Sequence, residues 1–314
     1  MRWECSSVRE SNRLKTDVSG EDLKNSLNSK DVGTSESLPI PIPFFNTKNV
    51  FFSQNDINRN IKIPNKLTTY LAEDIGIQIG DGGVYIYKDF DGDSHYRIEC
   101  YGHIIEDENY LNNFIIPLKE KLFNLSLKLK YHKLAGTCYL RIGSKALVTF
   151  YHNVIGLPIG KKSEIFIPEI ILNSSDEIMA ACLRGLGDTD FSLSFQKKQK
   201  EIHYYPILHI TSCSKILIEQ TSFALDKLGI SNNTNFDYHD KDKRTGKTYI
   251  KHDLFVCGKR NLKLWMKLIG FHNINHFSRY QIWKKFGFCP PKTTLEQRIK
   301  ILNGDIDPKS LECQ

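Results

Sequence analysis

The 314-residue sequence lacks any uninterrupted apolar run of the roughly 18 residues that a membrane-spanning helix needs. Its first 20 residues also lack the apolar segment of a secretory signal. Together these absences argue against a membrane-spanning protein, and nothing in the sequence points to export. We therefore expect an intracellular protein, cytoplasmic or, if its gene is carried by an organelle, organellar.

Cysteine occurs eight times but never as a Cys-x-x-Cys pair. The scattered spacing argues against a zinc ribbon and against a disulfide framework, and it favours reduced thiols. His272 and His276 have the spacing of a zinc-binding pair, but no paired cysteines lie upstream to complete a site. We therefore interpret both histidines as structural.

Positive charge is concentrated late in the chain. Residues 191–314 hold 21 Lys or Arg against 11 Asp or Glu, whereas residues 61–190 hold 14 against 17. A basic half beside a half with an acidic centre suits a polyanionic partner such as DNA. An ordinary basic surface would have the same composition, so charge by itself leaves both interpretations open.

A repeat with an offset of 109 residues is the most informative pattern in the chain. Residues 75–82 read IGIQIGDG and residues 184–191 read RGLGDTDF, so that Asp81 pairs in register with Asp190. A repeat this long, with an acid in each copy, predicts one folded unit used twice. The two carboxylates would then meet at a pseudo-twofold axis within a monomer.

Small residues lie four positions apart in each copy, Gly76 and Gly80 in the first, Gly185 and Thr189 in the second. On a helix such positions share one face, where they let two helix backbones approach closely. The acids that follow lie at helix C-terminal ends, where the macrodipole disfavours a carboxylate by roughly 0.3–1 kcal/mol. Since two close carboxylates repel each other unless a cation lies between them, the pattern predicts a site for Mg²⁺ or another divalent cation.

The hydrophobic pattern predicts the same element order twice, αββαββα, in an α+β fold. We assign residues 61–160 to the first unit, 161–290 to the second and 291–314 to a C-terminal helical tail. Residues 1–60 are polar and then rich in proline, which predicts a disordered N-terminal extension and linker.

These motifs resemble those of the two-repeat LAGLIDADG homing endonucleases, and the resemblance covers roughly residues 62–290. It implies a saddle in which two motif helices pack at the centre and the strands straddle double-stranded DNA in the major groove. It also implies a site-specific, metal-dependent cut in each DNA strand. The metal-binding acids of the family fall on Asp81 and Asp190, with the backbone carbonyls of Gly80 and Thr189 beside them.

Further site residues are predicted less directly. Lys145 and Lys259 begin the last helix of each unit, where the family often places a basic residue near the metals. They would polarise the phosphate or the water, with a solvated helix start as the alternative. Asp188 lies four residues after Arg184 on the predicted helix, so we interpret the two as an ion pair, with a further metal ligand as the alternative.

Candidate DNA-contacting side chains follow the predicted strands and hairpins. They are Tyr85, Tyr87, Arg97, Gln196, Lys198, Lys200, Lys243 and Arg244. On a saddle, one face of each strand would contact base edges and phosphates while the other would belong to the core. The sequence leaves open which face is which.

Two residues of the second motif depart from the family pattern. Phe191 stands where Gly is usual, and Gly187 where a larger apolar residue is usual. Since a left-handed position after a helix favours Gly, a bulky residue there would cost roughly 1 kcal/mol or more and could displace Asp190. A DNA-binding relative with impaired catalysis therefore stays open as an alternative. The family resemblance also leaves open an RNA maturase that assists splicing of its intron.

The ends of the chain suggest how its gene is arranged. The sequence begins with Met and lacks the Cys or Ser start and the His-Asn end of an intein. We therefore expect an intron-encoded or free-standing protein that takes part in intron homing.

Overall fold

The computed structural model describes residues 44–160, 162–241 and 246–312. The first unit follows a short helix, α1 (Gln54–Asn58). Its elements are α2 (Thr69–Ile79), β1 (Gly82–Lys88), β2 (Ser94–His103), α3 (Glu108–Tyr110), α4 (Ile116–Phe123), β3 (Lys130–His132), β4 (Thr137–Gly143) and α5 (Lys145–Thr149). A π-helical turn, Leu111–Ile115, separates α3 from α4 just before Pro117, which lacks the N–H that a continuous helix needs.

The second unit repeats this order after a short helix, α6 (Glu169–Leu172). Its elements are α7 (Asp176–Thr189), β5 (Ser192–Gln196), β6 (Tyr205–Ser212), α8 (Lys215–Lys227), β7 (Asn233–Lys241), β8 (Thr248–Cys257) and α9 (Lys259–Leu268). Helices α10 (Ile274–Phe286) and α11 (Leu295–Asn303) follow. The strands form two antiparallel four-stranded sheets of equivalent order, β1-β2-β4-β3 and β5-β6-β8-β7. The predicted fold class, α+β with two αββαββα repeats, is confirmed.

Strand pairing settles which face of each sheet belongs to the core. In the first sheet the buried face carries Val84, Ile98, Cys100, Leu140 and Ile142, and in the second it carries Leu193, Phe195, Leu208, Ile210 and Leu254. Because side chains alternate along a strand, the intervening residues lie on the opposite, solvent-facing side. That side of the first sheet carries Tyr85 and Arg97, which are paired across β1 and β2.

Helices α2 and α7 contact each other backbone to backbone. A Cβ atom placed on Gly76 would overlap the carbonyl oxygen of Cys182, and one placed on Gly185 would overlap the carbonyl oxygen of Glu73. The contact is thus reciprocal, as a pseudo-twofold axis requires. Most apolar residues of the two helices belong to one buried cluster that draws on both units, whereas Ile77 belongs to a second cluster of the first unit. The close helix approach predicted from the small residues is confirmed.

Residues 44–60 are folded, so the predicted linker is wrong for this part of the extension. The Ser53 side chain accepts a hydrogen bond from the Asp56 N–H, while Asp56 Oδ2 accepts from the Ser53 N–H at 2.9 Å, which caps α1 at its first turn. Asp56 is fully buried and also accepts from the Ala146 N–H at 3.1 Å. This buried carboxylate anchors the segment to the first unit.

Two predictions from the composition, on membrane-spanning helices and on cysteine pairing, can be compared with the described residues. None of the helices in that part of the chain is long and apolar enough to cross a membrane. The six cysteines within it are free thiols, and four of them are buried, namely Cys100, Cys138, Cys182 and Cys289.

The contact between the motif helices generates a stability prediction. Gly76→Ala and Gly185→Ala should each lower the free energy of unfolding by more than about 3 kcal/mol, since overpacking already costs roughly 1–3 kcal/mol where side chains can move. Here the obstacle is backbone, which cannot move aside. Gly143→Ala is the matched control, because the added Cβ would meet only the Tyr96 carbonyl oxygen at 3.9 Å. Urea denaturation would measure all three, and equal destabilisation by all three would contradict the prediction.

Candidate active site

The two predicted acids lie side by side at the ends of α2 and α7. Asp81 follows Gly80, the C-cap of α2, and Asp190 caps α7, with its N–H donating to the Leu186 carbonyl at 2.9 Å. The Cγ atom of Asp190 lies 3.5 Å from the position a Cβ would take on Gly80. The glycine contact between the helices therefore carries through to their ends and brings the carboxyl groups together.

The surroundings of the acids disfavour two negative charges. Burial raises the pKa of Asp81 well above its usual 3.8, and the charges of Asp190 and Asp107 raise it further. Burial also raises the pKa of Asp190, although the residue is exposed at the surface. Both shifts disfavour a second negative charge at the site. Such a pair favours either a shared proton or a bound cation.

The donor set fits a divalent cation. Two carboxylates supply oxygen ligands, and the Gly80 and Thr189 carbonyls lie in the last helical turns, where carbonyls lack an intrahelical donor. The Thr189 hydroxyl donates to the Gly185 carbonyl at 2.9 Å. Hard cations such as Mg²⁺ prefer oxygen ligands of this kind.

The lysine whose charge acts on both acids is Lys162, which sequence reasoning missed. Its positive charge lowers the pKa of Asp81 and of Asp190. It lies in the connection between the two units, which the Gly160 N–H pins to the first sheet by donating to the Val84 carbonyl at 2.8 Å. Nothing in the residues around it indicated this position, because only the tertiary fold brings the connection beside the helix ends.

The predicted catalytic lysines make other contacts. Lys145 Nζ lies 5.5 Å from the ring centroid of Tyr96, and Lys259 Nζ lies 5.5 Å from that of Tyr204. Neither charge is among those that shift the pKa of Asp81 or Asp190. Their positions at the start of α5 and α9 are as predicted, and their catalytic roles stay predictions.

Asp188 does not pair with Arg184, so that interpretation is wrong. Arg184 binds both oxygens of Glu73 on the other motif helix, at 3.0 and 2.8 Å. Asp188 accepts from the backbone N–H groups of His272 and Asn273 at 2.9 and 3.0 Å. The contact with Glu73 is favoured because it is bidentate and buried.

Glu73, Asp188 and His272 lie close enough together to hold a metal ion. However, Arg184 already neutralises Glu73, and His272 Nδ1 lies 2.6 Å from the same carboxylate. A cation there would have to displace a guanidinium group. We therefore assign these residues to a charge network that joins the two units, and the structural role of His272 stays a prediction. His276 is buried, whereas His272 is half-buried, and burial lowers the pKa of His276 to about 3.

Phe191 is accommodated without strain, which overturns the expectation of a left-handed position. Among the described residues, neither Gly82 nor Phe191 has a positive φ angle. Gly82 is needed for a different reason, because a Cβ there would overlap Gln78. In the second motif the large and small positions are exchanged. Gly187 leaves room for Trp265, against which Phe191 packs with ring centroids 5.0 Å apart.

The candidate DNA-contacting residues of the first unit share the solvent-facing side of its sheet. The Arg97 guanidinium lies 4.9 Å from the Tyr87 ring centroid and 5.5 Å from that of Tyr85. Arg97 and Arg141 both bind Glu99, at 3.0 and 2.5 Å. Arginine and tyrosine side chains therefore form one polar, aromatic surface.

In the second unit, Gln196 is the exposed last residue of β5. Lys198 and Lys200 follow in the loop to β6 rather than on the strand, with their Nζ atoms 3.7 Å from the Tyr205 ring centroid and 5.3 Å from that of Tyr204. Lys243 and Arg244 lie outside the described residues. Their predicted role is untouched by the structure.

Fold and site together define a two-repeat α+β protein in which the two helices of a central pair end in acids that lie side by side. Residues 177–270 match the family model described as a LAGLIDADG-like domain. The chain therefore carries a LAGLIDADG-like domain in its second unit, and the resemblance noted in the sequence is confirmed there.

Two proteins of Methanocaldococcus jannaschii are similar in sequence. One is a glutamine–fructose-6-phosphate aminotransferase, 27% identical over 190 residues, which are 55% of this chain and 16% of that protein. The other is a probable translation initiation factor IF-2, 26% identical over 271 residues, which are 78% of this chain and 20% of that protein. The chain thus spans a fifth or less of the length of either protein.

Solved structures with a similar fold include two homing endonucleases. The structure of I-DmoI in complex with DNA and Mn is 23% identical, covers 64% of this chain and 96% of its own, and has a TM-score of 0.46. The I-LtrWI LAGLIDADG homing endonuclease bound to target DNA is 13% identical, covers 69% and 89%, and has a TM-score of 0.45.

The packing of Phe191 predicts that restoring the usual glycine weakens the protein. Phe191→Gly should lower the free energy of unfolding by at least about 3 kcal/mol, the usual loss when a buried Phe is truncated. The control Phe90→Gly removes a fully exposed ring and should cost little beyond the conformational entropy of the added glycine, about 1 kcal/mol. Denaturant titration measures both. A Phe191→Gly protein as stable as the wild type would show that the Trp265 contact is unimportant.

The raised pKa values predict a stability change with pH. Because the folded pKa of each acid lies above the unfolded value near 3.8, ionisation of the pair destabilises the fold as pH rises through the folded pKa values. Without divalent cations, the double variant Asp81→Asn, Asp190→Asn should therefore melt above the wild type at neutral pH, and the difference should close toward acid pH. Mn²⁺ or Mg²⁺ should raise the melting temperature of the wild type alone. A double variant that melts below the wild type at neutral pH would contradict this.

Proposed function

We propose that this protein is a site-specific, double-stranded DNA endonuclease that depends on a divalent cation. The observation that carries the proposal is the meeting of Asp81 and Asp190 at the ends of two helices in direct backbone contact. In each copy of the repeat the acid lies at the C-terminal end of a helix, where the helix dipole disfavours a negative charge. Residues that oppose a local preference in this way are concentrated at functional sites. The LAGLIDADG-like domain over residues 177–270 supports the same activity.

Asp81 and Asp190 would hold the cation, together with the backbone carbonyls of Gly80 and Thr189. A bound divalent cation stabilises negative charge on a phosphate and lowers the pKa of a bound water. Lys162, whose charge reaches both acids, would orient the scissile phosphate from the connection between the units. Because one chain supplies both acids, a monomer would suffice to cut both strands.

The solvent-facing sides of the two sheets would bind the duplex. Arg97 and Arg141 lie among tyrosines on the first sheet, and arginine is the side chain best suited to bidentate contacts with guanine in the major groove. Lys198 and Lys200 lie in a loop of the second unit, where they would contact backbone phosphates. The two units would therefore each bind one half of a long recognition site.

The alternative of impaired catalysis rested on strain at Phe191. The packing of Phe191 against Trp265, in the space left by Gly187, supports an intact second half of the site. A maturase role would use the same basic surface but would not need two acids in register. The pairing of Asp81 with Asp190 therefore favours DNA cleavage over RNA binding alone.

The test is cleavage of duplex DNA in Mg²⁺ or Mn²⁺, with the target taken from a randomised duplex library or from the sequence that flanks the gene's own intron. Loss of a side chain that only hydrogen-bonds to a metal ligand lowers metal affinity or activity by roughly 10–100-fold. Loss of a ligand itself, in Asp81→Asn or Asp190→Asn, should therefore lower the cleavage rate by more than about 100-fold. Asp176→Asn is the matched control, because it makes the same change at an exposed position on α7.

Cleavage by the Asp81→Asn, Asp190→Asn double variant at the wild-type rate would refute the proposal. Wild-type protein that promotes splicing of its intron but leaves every duplex intact would instead favour the maturase. Both assays use the full chain, so the two results can be compared directly.

A further inference from the structure

A basic pocket lies between the N-terminal segment and the outer part of the first sheet, where β3 is the edge strand. The cavity measures about 400 Å³. Its polar lining comes from Asn55, Arg59, Ser126, Lys128, Lys130 and Arg141, and none of the residues that line it is acidic. Four cations and no carboxylate therefore face one cavity.

Three of these cations keep their charge uncompensated. Within the described residues, Arg59 donates from one terminal nitrogen to the Gly143 carbonyl at 2.9 Å, and neither Lys128 nor Lys130 has a carboxylate partner. The carboxylate of Glu120 is engaged elsewhere, since it accepts from the Leu127 N–H at 2.7 Å. Arg141 is balanced by Glu99. The pocket thus keeps about three net positive charges that repel one another.

Arg59 is held in place by several backbone contacts. It ends α1, and the following residue, Asn60, has a positive φ angle of 53° and accepts a hydrogen bond at its carbonyl from Asn124 Nδ2 at 2.9 Å. Lys62 N–H then donates to the Phe123 carbonyl at 3.0 Å. These contacts fix the backbone around Arg59, and the Gly143 carbonyl holds its guanidinium. The remaining N–H donors are left for an incoming anion, and the planar arrangement of Arg donors matches phosphate oxygens well.

We propose that this pocket binds backbone phosphates of duplex DNA at the outer flank of the half-site contacted by the first unit. Arg141 belongs both to the pocket and to the solvent-facing side of β4, so a duplex on that sheet continues into the pocket. The inference rests on the proposed function, and it adds an anchor to which Arg59, outside the two repeats, contributes together with Lys128 and Lys130. The anchor contributes affinity without reading sequence.

The experiment measures duplex binding against salt concentration, without divalent cations, for the full chain. The duplex has arbitrary sequence and is long enough to span both sheets. The triple variant Arg59→Ala, Lys128→Ala, Lys130→Ala should show a plot of log binding constant against log salt that is shallower by about 0.9 for each phosphate that the variant no longer neutralises. A double variant, Lys128→Ala with Lys130→Ala, keeps the Arg59 hydrogen bond to Gly143 and should show about two thirds of that change.

The matched control is Lys267→Ala with Lys309→Ala, two exposed lysines outside the pocket, which should leave the slope closer to that of the wild type. Unchanged slopes in both pocket variants, with melting temperatures equal to that of the wild type, would overturn the inference. A larger decrease in affinity for a structured RNA than for the duplex would overturn the choice of DNA. Wild-type protein that fails to bind any duplex would refute the proposed function itself, whereas cleavage that survives in pocket variants with unchanged slopes would refute the pocket alone.

Discussion

Gly76 on α2 and Gly185 on α7 each touch the backbone of the opposite helix, and this reciprocal contact positions the other parts of the molecule. It sets the distance between the two helices, and so it places Asp81 beside Asp190. Strands β1 and β5 begin within two residues of these acids, so the same contact also positions both sheets relative to the site. A side chain at either glycine would separate the units and the carboxylates together.

The two repeats have the same order of helices and strands, but different side chains fill the space at the ends of their motif helices. In the first motif, Gln78 is large and Gly82 small, whereas in the second Gly187 is small and Phe191 large. The buried charges differ as well. Lys119 pairs with Asp74 at 2.6 Å inside the first unit, and removing either partner would leave an uncompensated charge that typically costs about 3–5 kcal/mol.

Contacts beyond the repeats join the two units near the site. Arg298 of α11 is fully buried and binds Glu106 of the first unit at 2.9 Å, and Asn273 Nδ2 donates to Asp107 Oδ1 at 3.1 Å. Sequence periodicity predicted a helical tail but not these contacts. Arg298 and Glu106 are 192 positions apart in the sequence, so no local pattern connects them. The same holds for Lys162, which acquires its place only when the connection between the units pairs with β1.

Helical spacing, strand alternation and a long-range repeat are local or periodic signals, so the residues alone were enough to predict the element order, the repeat and the paired acids. The partners that the charges take emerged only from the folded chain, as Arg184 shows by binding Glu73 rather than Asp188. The faces of the sheets, the fit of Phe191 and the folding of residues 44–60 likewise required the three-dimensional arrangement. Each of these depends on which side chains become neighbours across the chain, and burial then selects the partner that leaves the least uncompensated charge and the smallest cavity.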